Sequence, residues 1–301
     1  MMGDWFGLKG WRWVMAGMMT SALILGPMQI AVAEESVTEP EAPTLDWFLV
    51  GEELVYDIFW GFLHVGMTYV TTEWVLEEGQ EPKVRIRYFT RTNRVVEKLY
   101  PVESTLESLI RAESFLPVYF MKNSSEGKRR SHETTTFDHA NRTMRWVNHK
   151  RDREEVLEIT EDTRDLITTM YYFRTMDYEV GDELTMQVMA DEKLYDLFVK
   201  VGARETVRLR EYGDVECVRF EPEAAFDGLF VRSGKVTFWV SDDERRVATQ
   251  VQASVPFANV TLKLREVKGP GDDFWIRHLE DAREGSSRSR GSGRPGRSRR
   301  P

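Results

Sequence analysis

Few side chains in this 301-residue sequence have the type and spacing that chemistry requires. The clearest are His64, in Trp60-Gly61-Phe62-Leu63-His64-Val65-Gly66, and the acidic run Asp242-Asp243-Glu244. If the first segment is extended, alternation puts Trp60, Phe62 and His64 on one face. That gives an aromatic surface with one titratable group, able to line a ligand cavity. A hydrogen-bonded core or rim histidine is the plainer reading. Asp242 and Asp243 can bind a cation or share acid and base work; the plainer reading is a charged hairpin tip with local ion pairs. Tyr171 and Arg174 offer a polar–aromatic contact, or simply plug a sheet. Together with Trp60, Phe62 and His64 they complete the candidate ligand-binding set.

No catalytic residue and no cofactor is expected. The sequence has no G-x-x-x-x-G-K-[ST] or G-x-G-x-x-G loop, no EF-hand and no G-x-S-x-G elbow. His132-Glu133 opens like a zinc-protease motif, but Thr136 stands where the second histidine belongs. His132, His139 and His149 can converge across one hairpin, yet a built metal site also wants carboxylates and orienting hydrogen bonds. A single cysteine, Cys217, excludes a disulfide scaffold and reads as a small core filler, with an intermolecular disulfide the alternative.

The chain ends carry different information. Lys9 and Arg12 precede an uncharged stretch from Trp13 to Ala33, with Pro27 and an Ala31-Val32-Ala33 site before Glu34. Residues 1–33 therefore read as a signal peptide, the alternative being an uncleaved N-terminal anchor. The expected location is periplasmic or secreted, with no stable transmembrane span once the signal is cleaved. Residues 34–46 read as a disordered acidic leader, and residues 271–301 as a disordered tail. From 285 onward that tail is basic, with six arginines and no acid. The formal charge is −9 overall; setting aside +1 on residues 1–33 and +6 on 285–301 leaves −16 on 34–284. A body this acidic, and arginines without interleaved aromatics, argue against specific nucleic-acid recognition.

Residues 47–270 must position the candidates, and their dominant period is two. Leu54, Tyr56, Ile58 and Trp60 alternate with Val55, Asp57 and Phe59. Further strands are expected at 68–76, 84–88, 131–137, 143–148, 183–189, 194–203, 206–212, 215–221, 235–240, 247–255 and 258–268, with turns between. Segment 162–175 breaks the rhythm: Leu166, Met170 and Phe173 recur at helical spacing, and Asp162 suits the N-cap. Residues 102–112 fit either a helix or a strand. Leu49-Val50-Gly51-Glu52-Glu53-Leu54 and Glu179-Val180-Gly181-Asp182-Glu183-Leu184 are similar strand entries.

The ordered anchors resemble a bacterial exported family, domain of unknown function 3108. They are Gly51-Glu52-Glu53-Leu54-Val55-Tyr56-Asp57-Ile58-Phe59-Trp60 with Gly66, then Phe115-Leu116-Pro117-Val118-Tyr119-Phe120 and Phe137-Asp138. Asp165-Leu166, Tyr171-Tyr172-Phe173-Arg174 and Trp239-Val240-Ser241-Asp242-Asp243-Glu244-Arg245-Arg246-Val247 follow in the same order. The resemblance spans about residues 47–268 and departs from the family at Thr168, where a smaller Ser or Ala is expected, and in the arginine-rich tail. It implies an envelope protein made of a curved antiparallel sheet, and it brings no catalytic residue.

These readings combine into a mainly β chain: a curved antiparallel sheet forming an open or partly closed barrel with one short helix. The expected function is non-enzymatic binding of an apolar, lipid-like ligand or an envelope protein. The alternatives are an envelope-polymer hydrolase using Asp242/Asp243 or His64, and a structural interaction protein.

Overall fold

Alternating burial marks several of the described segments, such as 129–138 and 143–148, as a half-buried sheet requires. A computed structural model describes residues 50–226, 229–230, 235–255 and 258–276. The signal, the leader, the basic tail from 285 and His278 lie outside the described residues, whereas 271–276, expected to begin a disordered tail, pack on the sheet, with Trp275 buried and donating to Asp243. The strands of the first half are β1 (Glu53–Trp60), β2 (Leu63–Val75), β3 (Lys83–Thr92), β4 (Val102–Arg111), β5 (Pro117–Glu126), β6 (Arg129–Asp138), β7 (Thr143–Asn148) and β8 (Arg153–Glu158). A two-residue β9 (Arg164–Asp165) leads into α1 (Leu166–Tyr172). Then come β10 (Glu183–Ala190), β11 (Lys193–Leu209), β12 (Gly213–Phe226), β13 (Leu229–Phe230), β14 (Lys235–Ser241), β15 (Ala248–Val255) and β16 (Ala258–Lys268).

All belong to one sheet, ordered β8-β7-β6-β5-β4-β3-β2-β1-β16-β15-β14-β12-β11-β10-β9, with β13 paired to β12. It is two antiparallel meanders joined where β1 pairs with β16; the β9–β10 pair is parallel. The sheet curves around α1 without closing. Its two arms approach through side chains: Ser108 on β4 donates to Asp165, and Lys122 on β5 pairs with Asp191 at 2.5 Å. No helix among the described residues is long and apolar enough to cross a membrane.

The expected fold class holds, with instructive differences. Residues 102–112 resolve as strand β4. The helix is shorter than 162–175, because Arg164 and Asp165 are extended against Val188 and Met189. Asp165, not Asp162, is the N-cap, its carboxylate accepting from the Thr168 backbone N–H at 2.8 Å. The helix buries Ile167, Thr168 and Tyr171, while Leu166 is 52% exposed. Strands 194–203 and 206–212 merge into β11, with an irregularity between Val201 and Arg204 where a break was expected. β5 and β8 were absent from the expected strands. β2 starts five residues early and passes through Gly66, where a Cβ would sit 2.4 Å from the Arg91 carbonyl oxygen. Only glycine lets β3 approach so closely there.

Two apolar clusters flank the helix. Ile167 and Tyr171 face Tyr56, Val70, Ile86 and Ile110, while Phe173, just past the helix, joins Phe220, Phe238 and Val240. Phe220 and Phe238 stack with centroids 5.0 Å apart. The helix is thus an internal plug that both arms pack against. Cys217 is buried; burial pushes its thiol up to about 11.

Candidate functional site

The expected ligand set divides in two. Trp60 ends β1 and Leu63 starts β2, so Gly61 and Phe62 form a turn, with Gly61 at φ +60°. Strand alternation stops there, and Trp60, Phe62 and His64 do not share a strand face. Phe62 projects from the turn with 98% exposure. His64 Nε2 lies 3.0 Å from Asp57 Oδ1, which also takes Arg265 at 3.4 Å, and the Phe59 ring meets the imidazole edge-on.

Tyr171 and Arg174 lie instead in the interior. Arg174 Nη1 donates to Glu52 Oε1 at 2.5 Å, and Arg245 Nη2 donates to Glu52 Oε2 at 2.8 Å. Further donors meet carbonyls: Arg174 Nε reaches the Arg245 carbonyl and Arg245 Nη1 the Gly271 carbonyl. All three charged side chains are buried. Burial pushes the Glu52 carboxyl up, but the charges and hydrogen bonds of Arg174 and Arg245 outweigh it and hold the group below its ordinary value. Burial raises the neighbouring phenols of Tyr56, Tyr88 and Tyr171. This is a clamp between the entry to β1, the exit of α1 and the β14–β15 turn. Glu52 and Arg245 were visible in the sequence only within the family-like runs that begin at Gly51 and at Trp239, and neither was named as a site residue.

A second buried network anchors the start of the helix. Asp165 Oδ2 accepts from Ser108 Oγ at 2.6 Å and from Thr168 Oγ1 at 2.7 Å. Thr168, where the family resemblance suggests a smaller residue, supplies one of those donors. Burial raises the Asp165 carboxyl despite these bonds.

The acidic pair serves its own turn. Asp242 Oδ2 accepts from Arg204 Nε at 2.6 Å. Asp243 accepts from Ser241 Oγ, the Arg245 and Arg246 backbone N–H groups and Trp275 Nε1. Register separates this turn from His64. Trp60 pairs with Val260 and Ser254 with Asn259, which puts the β1–β2 and β15–β16 turns at one end; the β14–β15 turn holding Asp242 and Asp243 is at the other. His132 and His149 pack ring to ring at 4.6 Å, while His139, beyond β6, donates to the Pro117 carbonyl.

What the sequence did not single out is the company Phe62 keeps. The β3–β4 connection is held beside the β1–β2 turn: Asn93 N donates to Val65 O and Asn93 Nδ2 to His64 O. Asn93 Oδ1 accepts from the Val95 and Val96 N–H groups, both at 3.0 Å, starting the single turn of 3₁₀ helix at Val96–Lys98. Beyond it, Tyr100 lies over Gly127 in the β5–β6 turn. This packing leaves Val95 75% and Leu99 87% exposed, with Trp60, Leu63 and Tyr100 about half exposed. Beside them is a cleft of ≈600 Å³ lined by Arg91, Asn93, Arg94, Glu97, Glu103 and Ser125, among others. Arg91 and Arg94 form no ion pair among the described residues, whereas Arg85 and Arg87, earlier on β3, pair with Glu107.

These features define an open, barrel-like protein of antiparallel strands around one short helix. The family described as "Protein of unknown function (DUF3108)" matches residues 55–265, and the chain belongs to it. Among solved structures, the chain is similar to a beta-barrel-like protein of domain of unknown function DUF1849 from Brucella abortus (TM-score 0.49, 11% identity, 73% of this chain and 98% of that one covered). It is also similar to a protein with a YmcC-like fold from Bacteroides fragilis (TM-score 0.32, 8% identity, 73% and 97% covered). No curated protein matches significantly.

Proposed function

We propose that this is an exported, non-enzymatic envelope protein that holds a lipid-like amphiphile in the cleft beside the β3–β4 connection. The carrying observation is that Arg91 and Arg94, neither in an ion pair among the described residues, line this cleft with Met67, Pro101 and Val102, next in the chain to the exposed Val95, Leu99 and Tyr100. An amphiphile with an anionic head and an apolar tail matches that pattern, the guanidinium groups taking the head. The signal-like residues 1–33 support export. The hydrolase reading has no comparable support, because Asp242/Asp243 and His64 lie at opposite ends of the sheet. The test is native mass spectrometry and organic extraction of protein purified from the envelope. A co-purifying amphiphile that is lost in the Arg91→Ala/Arg94→Ala variant is expected; ligand-free parent protein would overturn the reading.

A further inference from the structure

We infer that the end of the sheet bearing the β1–β2, β3–β4 and β5–β6 connections docks on an anionic phospholipid bilayer surface. The inference shares residues with the proposed cleft but does not require a molecule inside it.

Single exposed apolar side chains are ordinary on any protein. Here they come from adjoining connections. Trp60, Phe62 and Leu63 belong to the β1–β2 turn, and Val95, Leu99 and Tyr100 to the segment that Asn93 ties against it. Bases stand among and beside them. Arg94 and Lys98 alternate with Val95 and Leu99, Arg91 ends β3, and Lys128 lies in the turn that Tyr100 covers. None of these four forms an ion pair among the described residues. Elsewhere on the sheet many arginines are matched, Arg85 with Glu73, Arg145 with Glu154, Arg204 with Asp242 and Arg219 with Glu205, while Lys150 and Lys200 stand exposed but singly rather than beside an apolar cluster. Glu97 and Glu103 are the acids lining the adjacent cleft.

Aromatic and aliphatic side chains projecting between unpaired Lys and Arg suit a bilayer interface. Rings and branched chains enter the headgroup–acyl boundary, and the bases reach phosphates. A protein partner would favour large side chains seated in packed pockets, whereas Phe62 and Leu99 protrude from separate connections. Charge gives orientation. The −16 body is repelled by an anionic surface, so within that body the basic, apolar end is the part that can approach it.

The test uses the full chain and vesicles of phosphatidylcholine, with or without phosphatidylglycerol. Parent and variants share leader and tail, so a difference between them reports the loop end. An environment-sensitive fluorophore is placed through Leu99→Cys or, at the opposite end, Glu78→Cys; Cys217 is buried and spared. A blue shift at 99 but not at 78 on phosphatidylglycerol vesicles is expected, with at least tenfold weaker vesicle binding for Phe62→Ser/Leu99→Ser. A label at 99 that stays in water overturns the inference. So does binding unaffected by that variant but abolished when the six tail arginines become glutamine, or position 99 cross-linking to an envelope protein with no vesicle binding. Monomeric short-chain phosphatidylglycerol separates the two readings. Vesicle docking without monomer binding sinks the cleft proposal alone, and monomer binding without docking sinks this inference alone.

Discussion

Arg174, leaving the helix, meets Glu52, entering the first strand, through a buried 2.5 Å hydrogen bond between residues 122 positions apart. Arg245 closes the other side of the same carboxylate. Three segments far apart in sequence are thereby pinned at one point in the interior. The energetic asymmetry of such a site is known: forming the charges inside is costly, and orphaning one is costlier.

Arg174→Ala should therefore destabilise the protein by about 3–5 kcal/mol, since Glu52 keeps its burial and loses a donor. Removing Glu52 as well should add less than its own single effect, because the orphaned carboxylate disappears with it. Urea unfolding of both single variants and the double variant measures this. Additive effects would show that the pair is not coupled.

Acid should erase the contribution of Glu52. Its carboxyl is held below the ordinary 4.5, so the folded state takes up that proton later than the unfolded chain. The resulting stabilisation is complete above 4.5 and disappears as pH falls through the lower folded value. The stability gap between parent and Glu52→Gln should thus be widest near neutrality and narrow in acid. Asp165, raised by burial, acts with the opposite sign and remains in both proteins, so it cancels from the difference. Unfolding midpoints from neutral to acid pH decide the matter; a constant gap refutes it.

The helix N-terminus should be sensitive to Thr168. Its backbone N–H and hydroxyl both reach Asp165, and the hydroxyl lies 3.0 Å from Ser108 Oγ. Thr168→Val leaves a buried acceptor short of a donor and should cost about 1–3 kcal/mol. Thr168→Ser keeps the hydroxyl and should recover most of the loss. Denaturant unfolding of the two variants tests this, and equal losses would assign the effect to packing alone.

Particular residues show how far the sequence could be read. Leu54, Tyr56 and Ile58 alternate legibly because β1 is flanked on both sides by partners that extend the pleat. In β4 the most deeply buried side chains are Ser108 and Ile110; a serine aimed at the helix N-cap hides the period, and Leu106, Leu109 and Ile110 imitate a helix. The Trp60–His64 face failed as a geometric idea because one glycine at positive φ turned a strand into a hairpin.

Short-range pattern was thus enough to determine the class of fold, many of the strands, the sign of the charge on the body and the absence of common catalytic motifs. Those properties follow from steric preferences and hydrophobic period, which act over a few residues. Tertiary structure alone decided which charges go inside and which apolar side chains stay outside. Glu52 is buried because two guanidinium groups converge on it from 122 and 193 residues away. Phe62 and Leu99 are exposed together because register brings two turns to the same end of one sheet. A carboxylate's solvation and a hydrophobe's company depend on neighbours in space, and only the folded sheet supplies them.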